Sequence, residues 1–283
     1  MGEVTRGYNM GSKVNNGILG RGKHGARAWR VFLVFMLAAV VSACASLDES
    51  ELTMRKLDYG TARTIDGDEY NYYLVRDDGA LLYIVENGAK NIPVVDGERW
   101  KFTYDVISEN TEVAGEAYDI KLYTIKNVNR KKPVFRLSED DEDFESWDAE
   151  MGHDNLRRVD KGRVWFLGRY LNVEYTYLKK ADLNKYPVVN LVAEQREDGV
   201  WELEIRCNAN GNVPEADNKA DFVEAESEVS FDLVSLFDKM GSTTASVEVT
   251  WLEYHDSSWV DTVHRSKSLK IRLELPEAEK NAQ

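Results

Sequence analysis

The sequence has few of the residues that cross-link small exported proteins or hold metals. Its 283 residues include two cysteines, Cys44 and Cys207, and four histidines. With Cys44 better explained by lipid attachment, Cys207 has no partner, and we predict a fold without an intramolecular disulfide. Cys207 alternates with apolar residues, so we predict a buried small side chain. No histidine pair has the i, i+4 spacing of a zinc helix, so neither a zinc site nor a cofactor is predicted.

The sequence also lacks the motifs of common catalytic sites. It has no G-x-S-x-G elbow and no glycine-rich phosphate loop. The segment "EYHDSSWVDTVHR" places His255 and Asp256 beside serines, but a hydrolytic triad needs a serine exposed on a strained turn next to an oxyanion hole. Residues 255–258 are therefore predicted to form a polar hairpin turn.

The chain has no excess of positive charge. It carries 50 acidic and 36 basic residues, a formal net charge of −14 at pH 7. Residues 1–30 hold six basic residues and one acid (+5), so the remainder carries −19. Nucleic-acid binding depends on cations that neutralise phosphates, so this composition predicts no nucleic-acid partner.

No apolar run near the N-terminus is long enough for a permanent membrane span. The uncharged stretch Val31–Ala43 has thirteen residues, whereas a transmembrane helix needs about 20. A basic region before such a run is typical of a secretory signal peptide. The stretch ends in "VSAC", which resembles a bacterial lipobox, so we predict cleavage between Ala43 and Cys44 and acylation of Cys44. The alternative is an uncleaved anchor with an incidental cysteine.

The residues after Cys44 bear on where the protein is attached. Several acyl chains on one cysteine anchor a protein stably to a lipid bilayer. Ala45 stands where an aspartate commonly retains lipoproteins in the inner membrane, so we expect an outer-membrane lipoprotein. The acids Asp48, Glu49 and Glu51 resemble a tether that leads to the cell surface, and a solvated spacer has the same composition.

Alternation of apolar and polar residues is the dominant pattern of the remaining chain. It predicts half-buried strands of antiparallel sheets in "RWKFTYDVIS", "YLNVEYTYL", "VWELEIRCN" and "LKIRLEL". Asp-Gly and Asn-Gly pairs between such segments suit hairpin turns, and residues 70–76 are predicted to pair with residues 80–86. No long helical stripe is present, so the predicted fold class is all-β.

An acidic run divides the chain into two β regions. Eight acids fall within the twelve residues Glu139–Glu150, and such runs usually stay solvated. The run "DDEDFESWDAE" lacks the sixth-position glycine of an EF-hand calcium loop, so we predict no metal site there. The predicted segments are a signal peptide at 1–43, a tether at 44–56, β domains at 57–130 and 161–276, an acidic linker or long loop at 131–160 between them, and a tail at 277–283.

The ordered set of segments "YLVRDDGALLY", "VVDGERWKFTYDVIS", "AYDIKLYTIKNVNRK", "GRYLNVEYTY", "LEIRCNANGN" and "VSFDLVSL" resembles the NigD-like lipoproteins of Bacteroidota. The resemblance implies an N-terminal OB-like barrel followed by a C-terminal antiparallel β-sandwich. This chain departs from the family pattern at Cys207, where a histidine often precedes the asparagine, so no role of that histidine transfers.

The charge of the implied OB-like barrel bears on which class of ligand it binds. OB-folds bind oligonucleotides or sugars across one barrel face. Residues 57–130 contain eight basic and fourteen acidic residues, and this net charge of −6 disfavours nucleic acid. A protein, peptide or glycan ligand is left open. Most tryptophans fall in phase with core positions. Trp147, in a predicted loop, and Trp259, beside a predicted turn, do not, and they are the candidate ligand-binding residues.

Three functions compete at this point. The leading hypothesis is a non-catalytic binding or accessory module at the cell envelope, because no catalytic constellation is found. The second is a bacteriocin-associated role in immunity or delivery, for which the family resemblance is the only warrant. The third is a hydrolase that uses paired carboxylates, which geometry alone can test.

Overall fold

The computed structural model describes residues 55–90, 92–215, 219–255, 259 and 261–273. The predicted cleavage and lipidation site at Ala43 and Cys44 lies outside the described residues, as does the predicted tail at 277–283. The barrel and the sandwich described below pack as one compact unit. None of the helices in the described part of the chain is long and apolar enough to cross a membrane.

The first module is a closed five-stranded barrel with the strand order β1-β2-β3-β5-β4, in which β4 returns to β1. Its strands are β1 (Lys56–Ile65), β2 (Asp68–Arg76), β3 (Leu81–Asn87), β4 (Arg99–Glu109) and β5 (Ala117–Asn127). This confirms the predicted N-terminal barrel. Tyr73 pairs with Tyr83 in the β2–β3 ladder, so the predicted hairpin is also confirmed.

Alternation fills the barrel with side chains from one face of each strand. Leu74, Leu82, Phe102, Ile120 and Leu122 are all inaccessible to solvent in the barrel core. At roughly 25 cal/mol per Å² of apolar surface, burying a side chain of this size contributes about 1.5–3 kcal/mol. The barrel interior is therefore packed, and any ligand must bind on its outer surface or at its junctions.

The second module is a β-sandwich of two sheets, as predicted. One sheet has the order β14-β13-β11-β10-β7 and the other the order β6-β12-β9-β8. The strands are β6 (Asn129–Lys131), β7 (Val134–Phe135), β8 (Val164–Leu167), β9 (Tyr170–Lys180), β10 (Val188–Gln195), β11 (Trp201–Asn208), β12 (Phe222–Asp232), β13 (Thr244–Tyr254) and β14 (Thr262–Arg272).

The sandwich sheets are mixed and not wholly antiparallel. The pairs β7–β10, β11–β13 and β6–β12 are parallel, and the remaining ladders are antiparallel. The inward faces of the sheets meet in one core around Leu171, Leu191, Leu203, Phe231 and Trp251, each at most 1% exposed. Strand alternation alone does not report whether a neighbouring strand runs parallel or antiparallel.

The segment 131–160 is not the solvated linker that its acids predict. It supplies the edge strand β7 and an α-helix, α1 (Phe144–Met151), and it inserts Leu156 and Val159 into the sandwich core. Most acids around α1 stay exposed, Asp148 is half-buried against Arg206, and isolated apolar residues after α1 are buried. Scattered single apolar residues carry too little periodicity to be recognised in the sequence. A second helix, α2 (Val234–Met240), follows β12.

Candidate functional site

The barrel packs against the outer face of β9 and β12, and this junction contains the buried charged residues Arg99, Asp77 and Glu228. The alternation of β9 puts Leu171 and Val173 into the sandwich core and turns Asn172 and Glu174 the other way. Both polar side chains contact the barrel, and only Glu174 stays partly exposed to solvent.

Arg99, the first residue of β4, forms the buried part of the junction. Its guanidinium donates to both carboxylate oxygens of Asp77, at 2.5 and 2.6 Å, and to Oδ1 of Asn172 at 2.8 Å. It also lies 3.8 Å from the ring centre of Tyr170. The Arg99 and Asp77 side chains are 0% and 1% exposed. A bidentate pair of this kind fixes geometry as well as charge.

The surroundings of Asp77 show how tightly the modules meet. Burial raises the pKa of the Asp77 carboxyl, and hydrogen bonds from Arg99 act against that rise. Gly168 of the sandwich lies against the Asp77 backbone with φ of +63°, and a Cβ there would stand 2.4 Å from the Asp77 carbonyl oxygen. Only glycine fits at this approach.

Beside the buried pair lies an open cleft between the modules, with a volume of about 360 Å³. We call it the junction cleft, and it is lined by Leu57, Lys101, Lys126, Arg163, Glu174, Glu226, Ser227 and Glu228. Ligand sites occur preferentially at such domain interfaces. The cleft has three cations and three carboxylates, so its charges balance.

Lys101 bridges two carboxylates in the junction cleft. Its ammonium group donates to Glu174 at 2.6 Å and to Glu228 at 2.9 Å. The Tyr59 hydroxyl lies within hydrogen-bonding distance of both carboxylates, at 3.0 and 2.9 Å, and shares its single proton between them. The two carboxylate oxygens on Lys101 therefore lie within about 5.5 Å of each other. This upper limit is compatible with the ~5–5.5 Å separation of the carboxyl groups in retaining glycoside hydrolases.

The electrostatics of this carboxylate pair differ from those of a catalytic pair. Burial by itself raises the pKa of Glu228, but hydrogen bonds from Lys101, Lys126 and Tyr59 outweigh it and hold that pKa below its ordinary value. Burial and the neighbouring carboxylates Glu228 and Glu174 raise the pKa of the Tyr59 hydroxyl. A general acid needs a raised carboxyl pKa, and Glu228 has the opposite shift.

A second candidate region lies on the outer surface of the barrel. Register places Arg63 of β1 opposite Tyr73 of β2, Tyr73 opposite Tyr83 of β3, Tyr83 opposite Asp119 of β5, and Asp119 opposite Ser108 of β4. We call these five residues the barrel row. The two tyrosine rings stack, with centroids 5.4 Å apart and planes 22° apart.

The polar ends of the barrel row are held by neighbours. The Asp119 carboxylate accepts hydrogen bonds from Ser108 at 2.9 Å and from Asn110 at 2.9 Å. Arg63 donates to Asp96 at 3.3 Å, and the same carboxylate accepts from the backbone N–H of Thr64. The row therefore presents ordered polar groups on both sides of an aromatic pair.

The two tryptophans predicted as ligand contacts lie on different elements. Trp147 is on α1, not in a loop, half-buried between Phe144, at 5.9 Å between ring centres, and the Arg206 guanidinium, at 5.6 Å. Trp259, in the β13–β14 connection, adopts φ of +56° and packs against a small cluster that contains Tyr254. The structure does not test ligand binding by either residue, so both stay predictions.

The structure also locates Cys207 and His153. Cys207 is 2% exposed in the sandwich core, which confirms its predicted burial, and burial raises the pKa of its thiol to about 12. The Nε2 atom of His153 lies 2.7 Å from Asp148. Within the described ranges, no three His, Cys, Asp or Glu side chains are grouped to hold a metal ion.

Sequence reasoning did not find Arg99, Lys101 or the barrel row. Arg99 and Lys101 occupy the polar positions of an alternating strand, where solvent exposure is the ordinary expectation. The barrel row joins residues from five strands, and only the observed register brings them together. The signal available in the sequence was indirect, because Tyr73 and Tyr83 belong to the hairpin that was predicted.

Comparison with known proteins places the fold. Residues 139–264 match the family model of the NigD-like C-terminal β-sandwich domain. A Parabacteroides distasonis protein provisionally described as toxin-related is 20% identical, with a TM-score of 0.57 over 81% of this chain and 98% of its own. A NigD-like immunity protein from Bacteroides caccae is 17% identical, with a TM-score of 0.52 over 77% of this chain and 98% of its own.

A third structure is a Bacteroides fragilis protein provisionally described as a lipoprotein. It is 10% identical, with a TM-score of 0.51 over 78% of this chain and 99% of its own. No curated protein matches the chain. At these identities the structural likeness establishes the fold alone, while the family model covers the sandwich from α1 to the start of β14. Residues 139–264 are therefore identified as a NigD-like C-terminal β-sandwich domain, as the sequence resemblance implies.

Proposed function

We propose that this protein is a non-catalytic binding or accessory module held at the outer membrane by lipid on Cys44. The observation that carries the proposal is the Lys101 bridge in the junction cleft. The Glu174 and Glu228 carboxylates of that cleft are both tied to one ammonium group and one tyrosine hydroxyl. Such a pair joins two modules, whereas hydrolysis needs one carboxyl free to give up a proton.

The barrel row supports a role in recognition. Its aromatic pair and its ordered polar groups lie on the β2–β3 face, the face through which OB-folds bind ligands. The buried contacts of Arg99 hold the barrel at a fixed position on the sandwich. A rigid pair of modules loses less conformational entropy on binding than two modules joined flexibly.

The membrane anchor is supported by the lipobox-like "VSAC" and by likeness to a protein provisionally described as a lipoprotein. Cells that express the protein and grow on radiolabelled palmitate are expected to label the wild type and not the Cys44→Ser variant. Surface proteolysis of intact cells then assigns the leaflet. A wild-type protein without label would refute the anchor.

The non-catalytic role is tested on the purified lipoprotein in detergent micelles. We expect no turnover of glycoside, peptide and ester substrates by either the wild type or the Glu228→Gln variant. Robust turnover that the substitution abolishes would refute the proposal and favour the carboxylate-dependent hydrolase. The Glu226→Gln variant is the control, because Glu226 lines the same cleft without contacting Lys101.

A bacteriocin-associated role is the second candidate. It is favoured by likeness to one protein described as an immunity protein and another provisionally described as toxin-related. Deletion of the gene, followed by exposure to toxins of sibling strains, tests it. Increased sensitivity that the intact gene reverses would support immunity, and unchanged sensitivity would count against it.

A further inference from the structure

The barrel row crosses the strands of a closed barrel. From Arg63 to Asp119 it spans four adjacent strands, which is about 14 Å at the usual spacing of ~4.8 Å. The barrel order closes on itself through β1 and β4, so the row is not at a sheet edge. A peptide that binds by adding a strand needs an open edge, and this surface has none to offer.

The aromatic pair in the middle of the row leaves ring surface available. Tyr73 and Tyr83 stack on each other, and the register places Arg63 beside Tyr73 and Asp119 beside Tyr83 on the outer sides of the pair. Both residues are half-buried, so part of each side chain is accessible to solvent. Aromatic faces of this kind pack against the apolar C–H faces of sugar rings, and the phenol hydroxyls can hydrogen-bond as well.

The flanking groups have the chemistry that sugar hydroxyls need. A carboxylate has about four lone-pair sites, and the Asp119 carboxylate accepts two hydrogen bonds, from Ser108 and Asn110. It therefore retains capacity for a hydroxyl donor. Arg63 supplies donors and is oriented by Asp96. One cation and one anion on either side of the rings match a neutral polyhydroxylated ligand better than a polyanion.

We propose that the barrel row is a carbohydrate-binding site for a neutral oligosaccharide chain, in which Tyr73 and Tyr83 pack against sugar rings and Asp119 and Arg63 bind hydroxyls. This inference rests on the proposed function, because it names the ligand class of a binding module. The charge of the barrel, −6 over residues 57–130, is consistent with an uncharged ligand.

The test uses the purified mature lipoprotein in detergent, applied to an array of neutral and acidic bacterial, plant and host glycans, single-stranded DNA and acidic peptides. The best glycan is then titrated by calorimetry. We expect binding to at least one neutral oligosaccharide, at least tenfold weaker binding in Tyr73→Ala and Tyr83→Ala, and a smaller loss in Asp119→Asn. Tyr70→Ala is the matched control, because Tyr70 is on the same strand, 54% exposed and outside the row.

Each outcome decides the proposal. No glycan bound by the wild type, or glycan binding that survives both tyrosine substitutions in variants with unchanged circular dichroism, would overturn it. Binding of the DNA or peptide probes through the row would overturn it in favour of that class. Glycan binding at another surface of the protein would refute the barrel row as the binding site but not the proposed binding function. Turnover of the bound glycan would refute the non-catalytic role but not the barrel row as the binding site.

Discussion

Arg99 and Lys101, two residues apart on β4, each bring a cation to the junction between barrel and sandwich, but water reaches only Lys101. Arg99 and its partner Asp77 are sealed, whereas Lys101 is 22% exposed at the edge of the junction cleft. A charge pair without water holds its partners strongly once formed and is costly to break, while a partly solvated pair is screened and exchangeable. β4 therefore supplies one buried ion pair that is costly to break and one partly solvated ion pair that is weaker.

The largest effect is expected when the sealed pair is broken. Arg99→Met leaves Asp77 buried without its cation and should lower the free energy of unfolding by about 3–5 kcal/mol. Urea denaturation followed by circular dichroism measures this loss. The double variant Asp77→Leu, Arg99→Met should recover most of it, because neither charge is then left unpaired. A single variant as stable as the wild type would show that the sealed pair is energetically neutral.

A smaller effect is expected at the partly solvated pair. Lys101→Met removes the bridge between Glu174 and Glu228 and should cost about 1–2 kcal/mol at low ionic strength. The loss should shrink in 1 M salt, where the screening length falls to about 3 Å, whereas the loss caused by Arg99→Met should persist. If both variants lost stability with the same salt dependence, the buried and the partly solvated ion pair would not differ in their screening by salt.

Acid should act on the junction cleft through Glu228. Its pKa lies below the ordinary value of about 4.5, so its ion pairs stabilise the folded protein at higher pH and are lost as pH falls through the folded-state pKa. The difference in Tm between the wild type and Glu228→Gln should therefore be largest near neutral pH and disappear in acid below that pKa. The Glu226→Gln control, with a side chain 69% exposed, should show no such trend.

The smallest effect belongs to the rim of the same cleft. Lys126 pairs with Glu228 at 3.0 Å, but its side chain is 68% exposed. Exposed pairs of this kind contribute about 0.2–1 kcal/mol, so Lys126→Ala should lower the free energy of unfolding by less than about 1 kcal/mol. A loss as large as that of Lys101→Met would mean that exposure does not set the strength of these contacts.

The strands were predictable because alternation is a local property. Trp100, Phe102 and Tyr104 of β4 and Leu203, Ile205 of β11 are buried as their spacing predicts. Alternation identifies the inward face of a strand but does not distinguish a polar face that meets water from one that meets a second module. Both sides of the junction therefore read as ordinary solvent-exposed surface.

The remaining features depend on long-range pairing. From the sequence, Asp77 can be predicted only to lie in the turn between β2 and β3. No local pattern predicts that its partner is an arginine 22 residues later. Leu156 and Val159 follow a run of acids whose charge masks their burial. The barrel row depends on the register of several strand pairs, and no single segment of the sequence determines that register.

Gly168 has a practical consequence for chimeric proteins. Where this residue meets Asp77, main chain lies against main chain, and no side chain serves as a spacer that a substitution could lengthen or trim. A barrel transplanted from a relative onto this sandwich would need a β2–β3 turn of the same length and shape, or a gap would open beneath the guanidinium of Arg99. The two halves should therefore be exchanged between homologues together, as one cassette.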